Sequence, residues 1–229
     1  MKTIGLIGGI SWHSTSLYYT LINQLICERL GENHSARILL YSLNYNDFKQ
    51  LQTNNDWEGI EVMLSKMAVR LENAGADCIV LCCNTAHLIA DMLKKEINIP
   101  FLHIADETAT EIAKHNIKNV GLLGTKFTME EPFFIRSLSN AGIKTLIPDA
   151  EERNLIHTSI LHELSKGALS TESKRMFQQV IINLKEKGAE AVVFGCTEIG
   201  LAINQADCVL KIFDTTVIHS KAAVDFALN

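Results

Sequence analysis

The sequence predicts an α/β protein made of two pseudo-symmetric, open parallel α/β domains. Short, continuously apolar runs alternate along the 229 residues with longer stretches whose apolar positions recur with helical periodicity. This alternation is typical of parallel strands that are covered on both faces and connected by helices. The second observation is an internal repeat, because residues 75–87, GADCIVLCCNTAH, are similar to residues 188–200, GAEAVVFGCTEIG.

Two further pairs of segments support a duplication. The segment IGLIGG at 4–9 is similar to VGLLGT at 120–125, and FLHIAD at 101–106 is loosely similar to VLKIFD at 209–214. All three pairs are separated by about half of the 229 residues. Similar offsets at three places indicate two equivalent halves, whereas a single match would indicate little.

The first half contains four apolar runs and four helical stretches. Its first run leads directly into a glycine turn, and Pro100 lies at the edge of its fourth strand, where a proline is tolerated. Because strands and helices alternate, we expect right-handed crossovers. Strands are predicted at 3–8, 36–42, 77–82 and 99–103, and helices at 14–31, 57–74, 86–96 and 105–116.

The second half has the same pattern, and Pro132 and Pro148 again lie at segment edges. Its final helix is expected to pack back on the first domain, which would close a cleft with two chain crossovers. The first domain is then 1–103 with 213–229, the second is 104–212, and the active site lies in the cleft between them. Strands are predicted at 118–123, 144–148, 190–195 and 208–212, and helices at 129–141, 151–166, 171–187 and 214–228.

Composition excludes several classes of protein. The net charge of −5 argues against a nucleic-acid or anionic-membrane binder, since both need a basic surface. No apolar run approaches the roughly 18 residues of a membrane-spanning helix, and the N-terminus is interpreted as a strand and not as a signal peptide. The six cysteines have no CxxC spacing and are expected to be reduced thiols in the cytoplasm. Cys83 and His87 lack two further ligands, so no metal site is predicted.

Four segments end a predicted strand at the edge where open α/β sheets bind ligands. They are residues 8–11, 82–85, 123–125 and 195–198. If the two halves face each other, Cys83 and Cys196 lie on opposite walls and two thiols flank one small ligand. An isolated cysteine at a strand end is most often structural. The matched pair, each followed by polar residues, instead favours a functional interpretation.

Two opposed thiols can exchange a proton at a carbon atom without a cofactor. A thiolate accepts the α-proton of an amino acid on one face, and a thiol returns a proton on the other. We expect Asn84 or Thr85 to cap one following helix and Thr197 the other, so that each helix dipole favours a thiolate. Hydroxyls and backbone N–H groups would stabilise the developing negative charge. Suitable side chains at the predicted edge are Ser11, Asn84, Thr85, Thr125 and Thr197.

Other candidate residues carry weaker signals. IGLIGG lacks the third glycine and the downstream acid of a dinucleotide-binding loop. Cys82 is out of phase with Cys83 and is expected to point into the helix layer. His87 and His103 are expected to be helix or surface histidines without a catalytic role.

The motifs CCNTAH, GCTEIG at 195–200 and GLIGGISWHSTSLYY at 5–19 resemble the aspartate/glutamate racemase family, and among its members the bacterial broad-specificity amino-acid racemases. The resemblance extends through LLGTKFTMEEPFF at 122–134 and IHTSILHEL at 156–164. It implies a mechanism independent of pyridoxal phosphate, with Cys83 and Cys196 as the acid–base pair and no cofactor. It also implies a homodimer with a small amino-acid substrate.

The resemblance also implies a set of substrate-binding residues. Asn84, Thr85 and Ala86 correspond to the family's segment after the first cysteine, and Lys166 corresponds to a lysine that holds a substrate carboxylate. Polar positions lining the family's cleft are matched by Ser11, Thr125, Thr128 and Thr197.

The sequence departs from the family in two places. The segment after the second strand lacks an arginine found in several aspartate racemases, and Lys49 is a candidate substitute. His13 stands where many relatives have glutamate. Two alternatives therefore stay open beside an aspartate- or glutamate-type racemase. One is a one-cysteine lyase or isomerase of another small carboxylate, and the other is a non-catalytic small-molecule binding protein.

Overall fold

A computed structural model describes residues 1–229, and the chain forms two compact units. The first unit comprises Met1–Ile104 and His219–Asn229, and the second comprises Ala105–Ile218. The chain therefore crosses between the units at 104–105 and at 218–219. The sequence analysis predicted these crossings at 103–104 and 212–213. In the structure, residues 213–218 belong to the second unit and not to the first.

The first unit contains one parallel sheet of four strands in the order β2-β1-β3-β4. Its register places Ile7 beside Leu81, near the carboxyl ends of the two central strands. The elements are β1 (Thr3–Gly8), α1 (Trp12–Leu30), β2 (Arg37–Ser42), α2 (Tyr45–Thr53), α3 (Trp57–Asn73), β3 (Cys78–Leu81), a 3-10 helix (Thr85–Ile89), α4 (Ala90–Leu93) and β4 (Phe101–Leu102).

The second unit contains a sheet with the matching order β6-β5-β7-β8, also parallel throughout. The elements are α5 (Ile104–Ala113), β5 (Asn119–Gly124), α6 (Lys126–Glu130), α7 (Pro132–Asn140), β6 (Lys144–Leu146), α8 (Ala150–His162), two 3-10 helices (Leu164–Lys166 and Gln205–Asp207), α9 (Thr171–Glu186), β7 (Ala191–Gly195), α10 (Thr197–Ala202), β8 (Lys211–Asp214) and α11 (Thr215–Leu228). Two parallel α/β sheets with helices confirm the predicted fold class.

Each face of the first sheet is covered by a separate apolar cluster. One cluster includes Ile60 and Leu64 of α3, which pack against the sheet together with Ile79. The other includes Tyr18 of α1 and Val224 of α11, both buried. The final helix therefore covers part of one face of the first sheet. Burial of both faces explains why the strands are continuously apolar.

The second sheet is covered in the same way. Leu122, Val192 and Phe194 of its central strands are fully buried. A Cβ atom on Gly121 would lie 2.8 Å from a methyl carbon of Leu184, so the glycine permits α9 to approach β5 closely. No helix of the chain is both long enough and apolar enough to cross a membrane.

Several predicted boundaries are wrong for identifiable reasons. The predicted strand 208–212 begins three residues before the observed strand Lys211–Asp214 and ends two residues before its end. Gln205 holds residues 208–210 in a loop, since its side chain donates to the Leu210 carbonyl at 2.8 Å and accepts from the Ile212 N–H at 3.0 Å. The predicted helix 129–141 is two helices, since Glu131 before Pro132 has extended dihedral angles.

Two further helix predictions, 86–96 and 151–166, differ clearly from the structure. The stretch 86–96 forms only a 3-10 turn and the four residues of α4. The predicted helix 151–166 ends at His162 and is followed by a separate 3-10 turn. The helix α2 was not predicted, and α10 was expected only as a helix that follows Cys196, without a range.

Candidate functional site

In the first unit, the turn after β1 is a tight loop that begins α1. Gly9 has φ of +88°, and a Cβ atom there would fall on the backbone of Leu43, so only glycine fits. The Gly9 N–H donates to Thr15 Oγ1 at 2.8 Å. Ser11 caps the helix, its Oγ accepting from the Ser14 N–H at 3.5 Å, and its φ is +112°. Backbone conformations of this kind cost roughly 1–3 kcal/mol and cluster at functional sites.

The end of β3 places Cys83 beside this loop. The Cys82 N–H donates to the carbonyl of Ile7 at 2.9 Å, which joins the two strand ends. Cys82 is buried in the cluster shared by α1 and α11, as predicted, whereas Cys83 is half-buried and packs against the opposite cluster. Adjacent cysteines therefore lie on opposite sides of the sheet, which is the expected alternation for a strand.

The residues after Cys83 form a 3-10 turn and not a long helix. Asn84 occupies the position before this turn, but its side chain makes no capping hydrogen bond, and the expectation that Asn84 or Thr85 caps a helix is wrong. Asn84, Thr85 and Ala86 are all buried. Because the turn has only five residues, the predicted contribution of a helix dipole to Cys83 has little structural basis.

His87 anchors the backbone of Cys83. The Ile104 N–H donates to His87 Nε2 at 3.2 Å, so Nδ1 carries the proton and donates to the Cys83 carbonyl at 2.8 Å. Burial lowers the pKa of His87 well below its usual value, and the neighbouring His103 and His219 lower it further. The ring is therefore neutral and fixed in one tautomer.

His87 belongs to a buried histidine cluster formed with His103 and His219. The ring centroid of His87 lies 4.9 Å from that of His103 and 5.7 Å from that of His219. His219 Nε2–H donates to the Leu102 carbonyl at 2.9 Å, and Nδ1 accepts from the Tyr18 hydroxyl at 2.9 Å. Burial lowers the pKa of His219 to about 4. His87 lies in a 3-10 helix, and both His87 and His103 are buried, so neither is a surface histidine.

In the second unit, the ends of β5 and β7 lie side by side, with Gly124 paired to Gly195. Thr125 caps α6, and its Oγ1 accepts from the Thr128 N–H at 3.4 Å. Thr128 is buried, and a Cβ atom on Gly195 would lie 2.8 Å from its methyl carbon. The structure thus brings Thr125 and Thr128 to the strand end that precedes Cys196.

Cys196 is buried beside a carboxylate that the sequence analysis did not select. Its Sγ lies 3.0 Å from Glu198 Oε2, and the Thr197 hydroxyl donates to the same oxygen at 2.7 Å. Cys196, not Thr197, occupies the capping position of α10, so the predicted capping role of Thr197 is wrong. The signal that could have found Glu198 is its position two residues after the cysteine, in a turn where the two side chains can meet.

The two candidate lysines lie on different units. Lys166 is exposed at the end of the 3-10 helix Leu164–Lys166, and this helix packs against α10, next to Cys196. Lys49 is exposed on α2 in the first unit. At the start of α1, Trp12 is exposed and stacks on His13 with ring centroids 3.7 Å apart.

Comparison with known proteins is consistent with this arrangement. A model of the family described as Asp/Glu/Hydantoin racemase matches residues 7–223. The chain is 23% identical over 227 residues to the broad specificity amino-acid racemase RacX of Bacillus subtilis, with 96% of each chain covered. Nearly the whole chain is therefore similar to one family.

Two solved structures extend the comparison to three dimensions. One, from Yersinia pestis, is named provisionally as an Asp/Glu racemase, and it has a TM-score of 0.94 and 43% identity over the whole of both chains. The other, an aspartate racemase homologue from Pyrococcus horikoshii OT3, has a TM-score of 0.85 and 35% identity, again over both complete chains. The chain is therefore similar to these two proteins in both fold and sequence.

Proposed function

The chain belongs to the Asp/Glu/hydantoin racemase family, whose members are isomerases, and from this premise we propose that it is a cofactor-independent racemase of aspartate- or glutamate-type amino acids. One cysteine thiolate removes the α-proton, and the thiol of the other cysteine returns a proton to the opposite face. Cys83 and Cys196 are the proposed pair. General acid–base catalysis of this kind contributes typically 10²–10⁴-fold in rate.

The observation that carries the proposal is the equivalence of the two cysteines in the two sheets. β3 and β7 hold the same place in matching strand orders, and Cys83 and Cys196 each follow the end of their strand closely. Ligands of open α/β sheets bind at this edge. A protein that only binds a small molecule needs no matched thiols, whereas a two-base racemase needs both.

The proton balance of the proposed reaction is simple. The thiolate accepts the α-proton as the C–H bond breaks, and the electron pair stays on the substrate carbon and its carboxylate. The opposite thiol then donates its proton to the same carbon. The product is the mirror image of the substrate, and the two cysteines have exchanged protonation states. No oxidant or reductant is needed.

The negative charge that develops in this step needs hydrogen-bond donors. Side chains at the strand ends of each unit supply hydroxyl and amide groups, and the backbone at Ala86 adds an N–H group. We propose these roles for Ser11, Asn84, Thr85 and Ala86 of the first unit and for Thr125, Thr128 and Thr197 of the second.

A substrate with a second carboxylate needs a cation. We propose that Lys166 binds a substrate carboxylate, since its 3-10 helix packs against the helix that follows Cys196. Lys49 is proposed as the replacement for the arginine of several aspartate racemases. Charge-assisted bonds to carboxylates are roughly twice as strong as neutral ones, so these contacts would separate dicarboxylic from neutral substrates.

The cellular setting is also a proposal. Six cysteines without a CxxC spacing suit reduced thiols in the cytoplasm. We further propose a homodimer that acts on free amino acids. Light scattering on the purified protein tests the dimer directly.

The experiment for the proposed activity is α-proton exchange in D2O across a panel of amino acids. Both enantiomers of aspartate or glutamate should take up deuterium, and the optical rotation of either should decay to zero. Exchange without loss of optical activity would support the one-cysteine alternative. Absence of exchange with every amino acid of the panel would support a binding protein and refute the proposal.

A further inference from the structure

Glu198 accepts two hydrogen bonds on a single oxygen atom. The thiol of Cys196 lies 3.0 Å from Oε2, and the Thr197 hydroxyl lies 2.7 Å from it. All three residues are buried, at 8%, 4% and 7% relative exposure for Cys196, Thr197 and Glu198. In both bonds the thiol or hydroxyl is the donor and Oε2 is the acceptor, which is the arrangement that an ionised carboxylate, having acceptors only, satisfies.

The pair Cys196–Glu198 therefore holds one proton, and that proton lies on sulfur. An ordinary carboxyl group ionises near 4.3 and an ordinary thiol near 8.5, so the carboxyl loses its proton about ten-thousand-fold more readily. The Thr197 hydroxyl stabilises the charged carboxylate further. Removing the remaining proton would place two negative charges 3.0 Å apart in a buried site, where water screens them little.

Helix α10 packs against β7, which carries no titratable side chain, and against the 3-10 helix that carries Lys166. Asp214 also lies against α10, at Gly200, and burial raises the pKa of its carboxyl. Of these groups, Glu198 accepts a hydrogen bond from the sulfur atom.

From this geometry we propose that Glu198 is a positioning residue that keeps Cys196 protonated and orients its S–H bond in the resting protein. The consequence, which rests on the proposed racemase function, is that Cys83 is the resting thiolate and Cys196 the resting acid. The resting protein then binds the enantiomer whose α-proton faces Cys83. After turnover Cys196 is the thiolate beside Glu198, and proton exchange with water or turnover of the other enantiomer restores the resting state.

The test measures the alkylation rate of each cysteine against pH, with the labelled peptides resolved by mass spectrometry. In the wild-type protein, Cys196 should require a higher pH than Cys83 for half-maximal alkylation. Glu198→Gln preserves the shape of the side chain and removes its charge. In this variant the alkylation rate of Cys196 near neutral pH should rise about tenfold or more, because a fall of one pH unit in the midpoint raises the thiolate fraction about tenfold. Glu198→Asp keeps the negative charge, and its alkylation rate for Cys196 near neutral pH should be closer to that of the wild type than to that of Glu198→Gln.

Glu186→Gln is the matched control, because Glu186 is an exposed acid at the end of α9 in the same unit. It should leave the alkylation profile unchanged. An unchanged Cys196 midpoint in Glu198→Gln, or a wild-type midpoint for Cys196 below that of Cys83, would overturn the proposal. The wild-type comparison stands even if the variant does not fold. Since alkylation requires no turnover, a lack of deuterium exchange in the wild type would refute the racemase function separately.

Discussion

The buried histidine cluster of His87, His103 and His219 predicts a loss of stability in mild acid. Burial lowers the pKa of His219 from 6.5 to about 4, so the native ring stays neutral while the unfolded chain binds a proton. Stability is then fully present above pH 6.5 and declines as the pH falls toward 4. The pKa of His87 is lowered by burial in the same direction.

The magnitude for His219 follows from the two pKa values. Between neutral pH and about pH 5, the free energy of unfolding should fall by about 2 kcal/mol from His219 alone. The variant His219→Gln cannot titrate in this range, and its amide can still donate to the Leu102 carbonyl. It should be less stable than wild type at neutral pH, but its stability should depend less on pH by about the same 2 kcal/mol.

The assay is urea unfolding followed by circular dichroism at the two pH values, for wild type and variant. The difference between the two pH dependences removes every group that the proteins share. His162→Gln replaces an exposed histidine of the second unit and is the control that should leave the pH dependence unchanged. An equal pH dependence in wild type and His219→Gln would refute the conclusion that this ring is neutral in the native protein.

Three further predictions concern residues of the candidate site and of the loop after β1. Cys83→Ala and Cys196→Ala should each reduce racemisation by at least about 10²-fold with an unchanged circular dichroism spectrum, whereas Cys208→Ala should remain active; near-full turnover of either of the first two would refute the two-base mechanism. Gly9→Ala should lower the free energy of unfolding by about 1–3 kcal/mol or more, because its φ is +88° and the new Cβ meets a backbone; an unchanged urea midpoint would contradict this. Lys166→Ala should raise KM for dicarboxylic but not for neutral amino acids, and an equal change for both would remove Lys166 from substrate binding.

The central strands could be predicted from the sequence because burial on both faces leaves an unambiguous signal. The run 3–8 coincides with β1, and β7 differs from its prediction by one residue. The last strand was misplaced because residues 208–210 are also apolar, although Gln205 holds them in a loop. Apolar runs occur both in buried strands and in loops. Only the hydrogen bonds of Gln205 distinguish the loop at 208–210 from a strand.

The sequence predicted which strand ends carry the candidate site, but it did not predict the hydrogen bonds that its side chains make. The internal repeat indicated Cys83 and Cys196, since equivalent positions survive in a duplicated fold. The bond from Cys196 to Glu198 depends on the backbone of the turn, where a cysteine and not a threonine takes the capping position. The role of His87 depends on Ile104, 17 residues further along the chain, whose N–H fixes the tautomer that donates to the Cys83 carbonyl.

The division of the chain into one continuous and one discontinuous unit has a consequence for biosynthesis. Residues 105–218 emerge from the ribosome as an uninterrupted stretch that contains all four strands of its sheet. The first sheet is synthesised earlier, yet one of its faces is covered by Ala223, Val224 and Ala227 of α11. Helix α1 covers part of that face early, but the part covered by α11 stays exposed until α11 has been synthesised, so the sheet made first is the last to be completed, and its exposed apolar surface favours aggregation of the nascent chain.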